Sequence, residues 1–308
     1  EDGIRDVAVT GVQTCALPIS TLKAYDTILL TQVDVWRYSN DPALLSYFDS
    51  NRHQNFFIQT VGIADYKLAP NVWVLSYNPL YWSRERSKQQ LKNQDIPFGF
   101  ASLNNRMAYH RALLGLKLFE QKLLDQVMYS LGDGDPGEYL TMQLAKSPAW
   151  TEFKKQLPIT VDGPGWQQDL GNGTQHPAFG LAYANISTET EIEYIDPAHR
   201  YPTPTVTEKT WKPFLSCQIP IWIASPGHMK FVRSLGFECF EKLWPEDFDQ
   251  LNTEQKVDCI VDLVKIGKEN IKEIYFNNID QIQHNWELVN SDKIEQLMFD
   301  NAIKFIYN

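Results

Sequence analysis

The residues with the clearest chemical potential form the stretch Val206-Thr207-Glu208-Lys209, between the Pro-marked loop Tyr201-Pro202-Thr203-Pro204 and a run holding Trp211, Phe214 and Leu215. Thr207 suits a helix N-cap, because its hydroxyl can accept from the unpaired N–H groups of a first turn. Glu208 falls in that turn, where the helix dipole favours an acid. Lys209 can bring charge to phosphate oxygens, with open main-chain N–H groups beside it. Glu208 can accept hydrogen bonds from sugar hydroxyls. The combination suits a nucleotide diphosphate. Taken alone, the same residues also describe an ordinary capped helix with two solvated charges.

The elements that must position them follow from periodicity. Phe179 to Asn185 alternates apolar and other residues, as a strand does, with Asn185 at its end. A helix opened by Thr207 runs to about Cys217-Gln218. Ile219 to Ala224 is a short apolar run of the kind a buried parallel strand shows, closed by Ser225-Pro226-Gly227. Strand, loop, helix and strand make a βαβ unit, whose ligands bind outside the carboxyl ends of the strands. Upstream, Phe98 to Leu103 reads as a further strand with Asn104-Asn105 as its turn. A long helix follows from about Arg106 to Tyr129, with Leu113, Leu116, Phe119, Leu123 and Val127 at spacings of three and four. Arg106 falls at its start, where a guanidinium can grip phosphate oxygens with two hydrogen bonds. His110 and Arg111, one turn on, are weaker candidates.

These stretches resemble the α-1,3-fucosyltransferase family. Phe179, Leu181, Tyr183 and Asn185 match the family's sugar-nucleotide strand. Val206 to Lys209 matches its Val/Ile-Thr-Glu-Lys segment, and Pro220-Ile221-Trp222-Ile223-Ala224-Ser225-Pro226 its following strand end. Arg106 to Leu113 is similar to the family's Arg, aromatic, Ala-Leu helix start. The resemblance covers roughly residues 98 to 250. It departs at Ala184, where the family has a glutamate, in a longer loop before Val206, and in a shorter segment after Ser102. It implies a GT-B-like α/β fold of two Rossmann-like domains, and an inverting transfer of a fucose-like sugar from a nucleoside-diphosphate donor, by resemblance a GDP-sugar, to a hydroxyl acceptor. Arg106, Asn185, Glu208 and Lys209 are then the donor-binding residues. The catalytic base is expected in the N-terminal domain, where Asp34, Asp41 and Asp65 stand undistinguished.

Residues 1–19 are expected to be foreign: Val9 to Ile19 resembles the translation of a sequencing-adapter oligonucleotide. Setting them aside removes three acids and one base, and the net charge moves from −10 to −8. An acidic chain has no general electrostatic affinity for a nucleic-acid backbone, which disfavours a nucleic-acid acceptor. No run reaches the length of a membrane span. Three scattered cysteines remain of the four, which argues for a reducing cytoplasm and against a disulfide framework or a zinc site.

The expected division is 1–19 foreign, 20–95 an N-terminal α/β domain lacking its natural start, 96–275 the nucleotide-sugar domain, and 276–308 a helical segment. In the first domain Thr27 to Leu30, Phe56 to Gln59 and Val72 to Leu75 read as strands. Asp41 to Phe48 and Arg84 to Lys92 read as helices. Helices from about Thr253 to Ile266 and Ile279 to Phe305 close the chain. No metal ligand set and no permanently bound cofactor is expected. The Asp133-Gly134-Asp135 run, flanked by Gly and Pro, reads first as a turn. Two other functions fit the same residues: a metal-dependent transferase using Asp133 and Asp135, and a non-catalytic protein that binds nucleotide-sugars or glycans.

Overall fold

The computed structural model of the chain describes residues 7–11, 27–31, 46, 49–50, 52, 55–59, 66–69, 72–75, 90–104, 106–134, 138–161, 177–189, 206–294 and 296–297. The chain forms two compact units. The first comprises residues 1–79, 194–206 and 295–308; the second comprises 80–193 and 207–294.

In the first unit β1 (Val7–Gly11), β2 (Thr27–Thr31), β3 (Asn55–Gln59), β4 (Tyr66–Ala69) and β5 (Val72–Leu75) form one sheet in the order β1-β2-β3-β5-β4. All neighbours are parallel except β4 and β5. Three strands fall where periodicity places them. β4 has no counterpart among the expected strands, and β1 lies inside the segment read as foreign, where Val7 to Gly11 pairs residue for residue with Thr27 to Thr31. A sheet edge offers main-chain groups to any short apolar stretch, whatever its origin. Of the expected helix at 41–48, Ser46 is helical, as are Asp49 and Ser50 beyond its predicted end.

The second unit is an α/β layer structure. Its sheet contains β6 (Phe98–Leu103), β7 (Val127–Ser130), β8 (Ala182–Thr188) and β9 (Ile219–Ile223), all parallel, in the order β7-β6-β8-β9. Every residue of β7, β8 and β9 is buried, so both faces are covered, as an all-parallel sheet requires. Pro220 sits opposite Asn185 on β9, an edge strand of this sheet, where a missing N–H is tolerated. The helices are α1 (Tyr109–Glu120), α2 (Glu138–Leu144), α3 (Trp150–Lys154), α4 (Glu208–Leu215), α5 (His228–Ser234), α6 (Thr253–Val264), α7 (Gly267–Asn277) and α8 (Ile279–Val289). Helix α4 lies on β8 and β9, α7 on β6 and β8, and α6 against α1.

The boundary between units differs from the expected one near residue 95. The Lys92 N–H donates to the Tyr275 hydroxyl at 2.9 Å, and the Tyr183 hydroxyl reaches the Gln94 carbonyl at 3.4 Å, which ties this segment to the second unit. Gln90, Leu91 and Lys92 are not helical; residues 84–89 of that expected helix lie outside the described residues. Helices α7 and α8 also belong to this unit: the Tyr183 and Tyr275 rings meet at 5.3 Å, and Asn285 pairs with the main chain of Glu238.

The helix expected over 106–129 stops at Glu120. Lys122 adopts φ 57, while Leu123 N–H returns to Leu118 and Lys122 N–H to Phe119, which closes the helix with a left-handed cap. The apolar spacing nevertheless continues through Val127, because Val127–Ser130 must be buried as β7. Helix α4 closes the same way at Cys217 (φ 50), with Gln218 N–H on Pro213 and Cys217 N–H on Phe214. Helix α5 ends at Gly236 (φ 97), the residue type best suited to that conformation.

Candidate functional site

The strand order places a reversal between β6 and β8: β7 lies on one side of β6, and β8 and β9 on the other. In open parallel sheets the crevice outside the strand ends at such a reversal is where ligands bind. The residues just past β6 and β8 stand at this reversal.

β8 does not end at Asn185. Pro177–Gly180 is a 3-10 turn, and the strand runs from Ala182 through Thr188. Asn185 is consequently mid-strand and 4% exposed. Its Nδ2 donates to Gln218 Oε1 at 3.0 Å, and its Oδ1 accepts from the Ser187 hydroxyl at 3.0 Å. This side chain is enclosed in the sheet and does not line the strand-end crevice. The residue at the true strand end is Glu189.

Glu189 is fully buried. Its carboxyl group accepts from the Thr207 N–H at 3.3 Å, from the Thr207 hydroxyl at 2.6 Å, and from the Thr210 hydroxyl. Thr207 is the N-cap of α4, as its position predicts, and its hydroxyl accepts from the Lys209 N–H at 3.3 Å. The Lys209 ammonium lies 3.4 Å from the same oxygen. Trp211 and Phe214, each 1% exposed, hold this helix to the core. Phe214 stacks on Phe237 at 4.3 Å, and Trp211 meets Phe237 at 5.5 Å. Burial of each such ring contributes about 1.5–3 kcal/mol. Glu208 contributes its main chain to the first turn; its side chain lies outside what the structure describes.

Across the reversal, the turn after β6 is held by Asn104 and Arg111, 4% and 6% exposed. Arg111 donates from Nε to the Thr188 hydroxyl at 3.0 Å and from Nη1 to the Arg106 carbonyl at 3.0 Å. The Thr188 hydroxyl in turn donates to Asn104 Oδ1 at 2.5 Å. Arg106 itself is exposed and does not open the helix as expected: it lies in the bend before α1, whose N-cap is Ala108. The main chain of Arg106 is thus tied through Arg111 to Thr188, and Lys209 through Thr207 to the adjacent Glu189, on one edge of the sheet.

His110 lies beneath this edge. Burial and the positive charge of Arg111 hold its imidazole well below the ordinary value; a hydrogen bond to the Glu189 main chain opposes them, and the Lys209 charge adds to the depression. Its Nε2 is buried without a hydrogen-bond partner.

Among the described residues, the starts of α1, α4 and α5 on this edge are not equivalent. At α5, Asp249 accepts from the Met229 and Lys230 N–H groups at 3.0 and 3.1 Å, so a protein carboxyl group already fills it. At α4, Glu189 and Thr207 take the Thr207 and Lys209 N–H groups, which the sequence alone leaves open for a ligand. At α1 the N-cap is Ala108, without a side-chain cap and without an acid in the first turn. The positive charge of Lys209 is felt at His110 in the first turn of α1, whose start has no side-chain cap. This arrangement suits an anion.

Among the described residues no group of His, Cys, Asp or Glu could hold a metal ion. Asp133 is exposed, and Asp135 lies outside the described residues. Among the described residues no helix is long and apolar enough to cross a membrane. No family model, no curated protein and no solved structure matches the chain. Periodicity overlooks Glu189, Thr188 and Thr210, because Ser187, Thr188 and Glu189 are polar and read as loop. The signal present is the Thr-Glu step itself, polar residues between an apolar strand and a capped helix.

Proposed function

We propose that the second unit binds the diphosphate of a nucleotide-sugar, and that the protein is a glycosyltransferase of GT-B type similar to the α-1,3-fucosyltransferases. The observation that supports this most is that the turn carrying Arg106 and the start of α4 carrying Lys209 are tied, through Arg111 and Thr207, to the adjacent residues Thr188 and Glu189 at the end of β8. In an inverting transfer the acceptor hydroxyl oxygen attacks the anomeric carbon as the bond to the diphosphate breaks. The hydroxyl proton passes to a base, and the leaving diphosphate gathers negative charge. Arg106 and Lys209 are the residues proposed to stabilise that charge. Glu208, in the first turn of α4, is the residue proposed to hold sugar hydroxyls.

Ala184, where the resembled family carries a glutamate, is buried mid-strand opposite Phe100 and Ile219. The donor sugar is therefore read by other residues than in that family. The proposed acceptor is a glycan or another hydroxyl compound, and the proposed setting is the cytoplasm. A thermal-shift screen of nucleoside diphosphates and their sugar conjugates tests the reading, because a ligand that binds only the folded state raises Tm. A nucleotide-sugar is expected to stabilise the protein and to lose that effect in Lys209→Ala. No shift with any nucleoside diphosphate would refute it.

A further inference from the structure

Three features of the sheet edge converge on Glu189. Its carboxyl group takes both polar groups of Thr207 and the hydroxyl of Thr210. Thr210 Oγ1 lies 3.3 Å from His228 Nε2 at the start of α5, and His110 of α1 is hydrogen-bonded to the Glu189 main chain. One buried residue thereby links the starts of α1, α4 and α5 to the end of β8.

The bond to Thr207 has a directional consequence. A threonine hydroxyl has one proton and two acceptor lone pairs. Glu189 Oε2, at 2.6 Å, takes that proton, so the oxygen turns its lone pairs toward the Lys209 N–H and the Lys209 ammonium at 3.3 and 3.4 Å. With no acceptor on the Glu189 side, the proton can rotate toward Lys209 and repel it.

We propose that Glu189 is a positioning residue: through the Thr207 hydroxyl it sets where Lys209 stands, and hence how strongly the crevice holds a diphosphate. This rests on the anion-binding reading of Lys209. Glu189 itself is too buried to touch the ligand.

Pyrophosphate affinity, measured by calorimetry on the full chain well below each variant's Tm, tests it. Glu189→Gln keeps the size but presents an N–H₂ to one threonine hydroxyl, reversing that bond. Thr207→Val removes the hydroxyl, and Thr207→Ser keeps it. Each of the first two is expected to weaken pyrophosphate about tenfold, the coupling expected of residues in one hydrogen-bonded network, with Thr207→Ser near wild type. In a Lys209→Ala background Glu189→Gln should add no further loss. Equal loss with and without Lys209, or unchanged affinity in Thr207→Val, would overturn the relay while leaving the anion site standing. Lys209→Ala binding pyrophosphate as wild type would overturn the site and the relay together. Should Glu189→Gln not fold, the contrast between Thr207→Val and Thr207→Ser decides the question by itself.

Discussion

Glu189 and Thr207 are joined twice, N–H to Oε1 at 3.3 Å and hydroxyl to Oε2 at 2.6 Å, although 18 positions separate them. This double link fastens the first residue before α4 to the end of β8. It also makes the charge at Lys209 a property of the sheet edge and not only of a helix start.

On the proposed glycosyltransferase reading, removal of the Lys209 ammonium should slow transfer far more than it affects stability. Deleting one charge-assisted hydrogen bond to a transition state costs about 2.7–4 kcal/mol, roughly 10²–10³ in rate. The Tm should move little, since substitutions at partly exposed positions usually stay within about 0.5 kcal/mol. Lys209→Arg should restore only part of the activity, because a planar fork does not reproduce a compact ammonium. Steady-state rates and melting curves on the same preparations check both halves.

His110 should shape the acid side of the stability profile. Its folded-state pKa is depressed, so as pH falls the unfolded chain takes up the proton first. The stability due to neutral His110 is therefore complete above about pH 6.5 and is lost as pH falls from there toward the folded value, at up to about 1.4 kcal/mol per unit. His110→Phe should flatten that slope in urea titrations run downward from about pH 6.5. An unchanged slope would mean another group carries it.

Lys92 should be a stability residue. It is 6% exposed, its ammonium donates to the Ser216 carbonyl at the carboxyl end of α4 at 2.9 Å, and burial pulls its pKa down to about 8 against the Cys217 thiol's raising effect. Lys92→Ala leaves that buried carbonyl without its donor, at a cost of about 1–3 kcal/mol. For a unit of this size each kcal/mol lowers Tm by about 2–4 °C, which calorimetry resolves.

Gly115 should not tolerate even a methyl group. A Cβ there would lie 2.6 Å from Phe153 Cζ and 2.8 Å from Tyr129 Cζ. Tyr129 is fixed by its hydrogen bond to the Arg111 carbonyl at 2.7 Å, so it cannot yield without loosening the residue that holds the Arg106 turn. Gly115→Ala is expected to cost about 1–3 kcal/mol, the range for overpacking a filled core, read as a lower urea midpoint at unchanged slope.

Local chemistry was legible in the sequence. The Thr207 cap, the strands at 98–103 and 219–223, the inward Trp211 and Phe214, and the Gly236 stop each depend on neighbours within one or two turns, which the sequence displays directly. The alternation of strands and helices was enough to predict an α/β layer structure. What lay beyond it were decisions made by partners distant in the chain. Ser187 and Thr188 extend β8 because Trp222 and Ile223 pair with them and Arg111 and Asn104 satisfy Thr188. Val127 to Ser130 leaves the helical pattern because β6 offers it an edge, and apolar spacing cannot distinguish the two fates. Asn185 has the pattern of a strand end and is enclosed, while Glu189 has the pattern of a loop and is the buried hub. A carboxyl group can be buried only where donors meet it, and Thr207 and Thr210 are brought to Glu189 by the crossover, not by their place in the sequence.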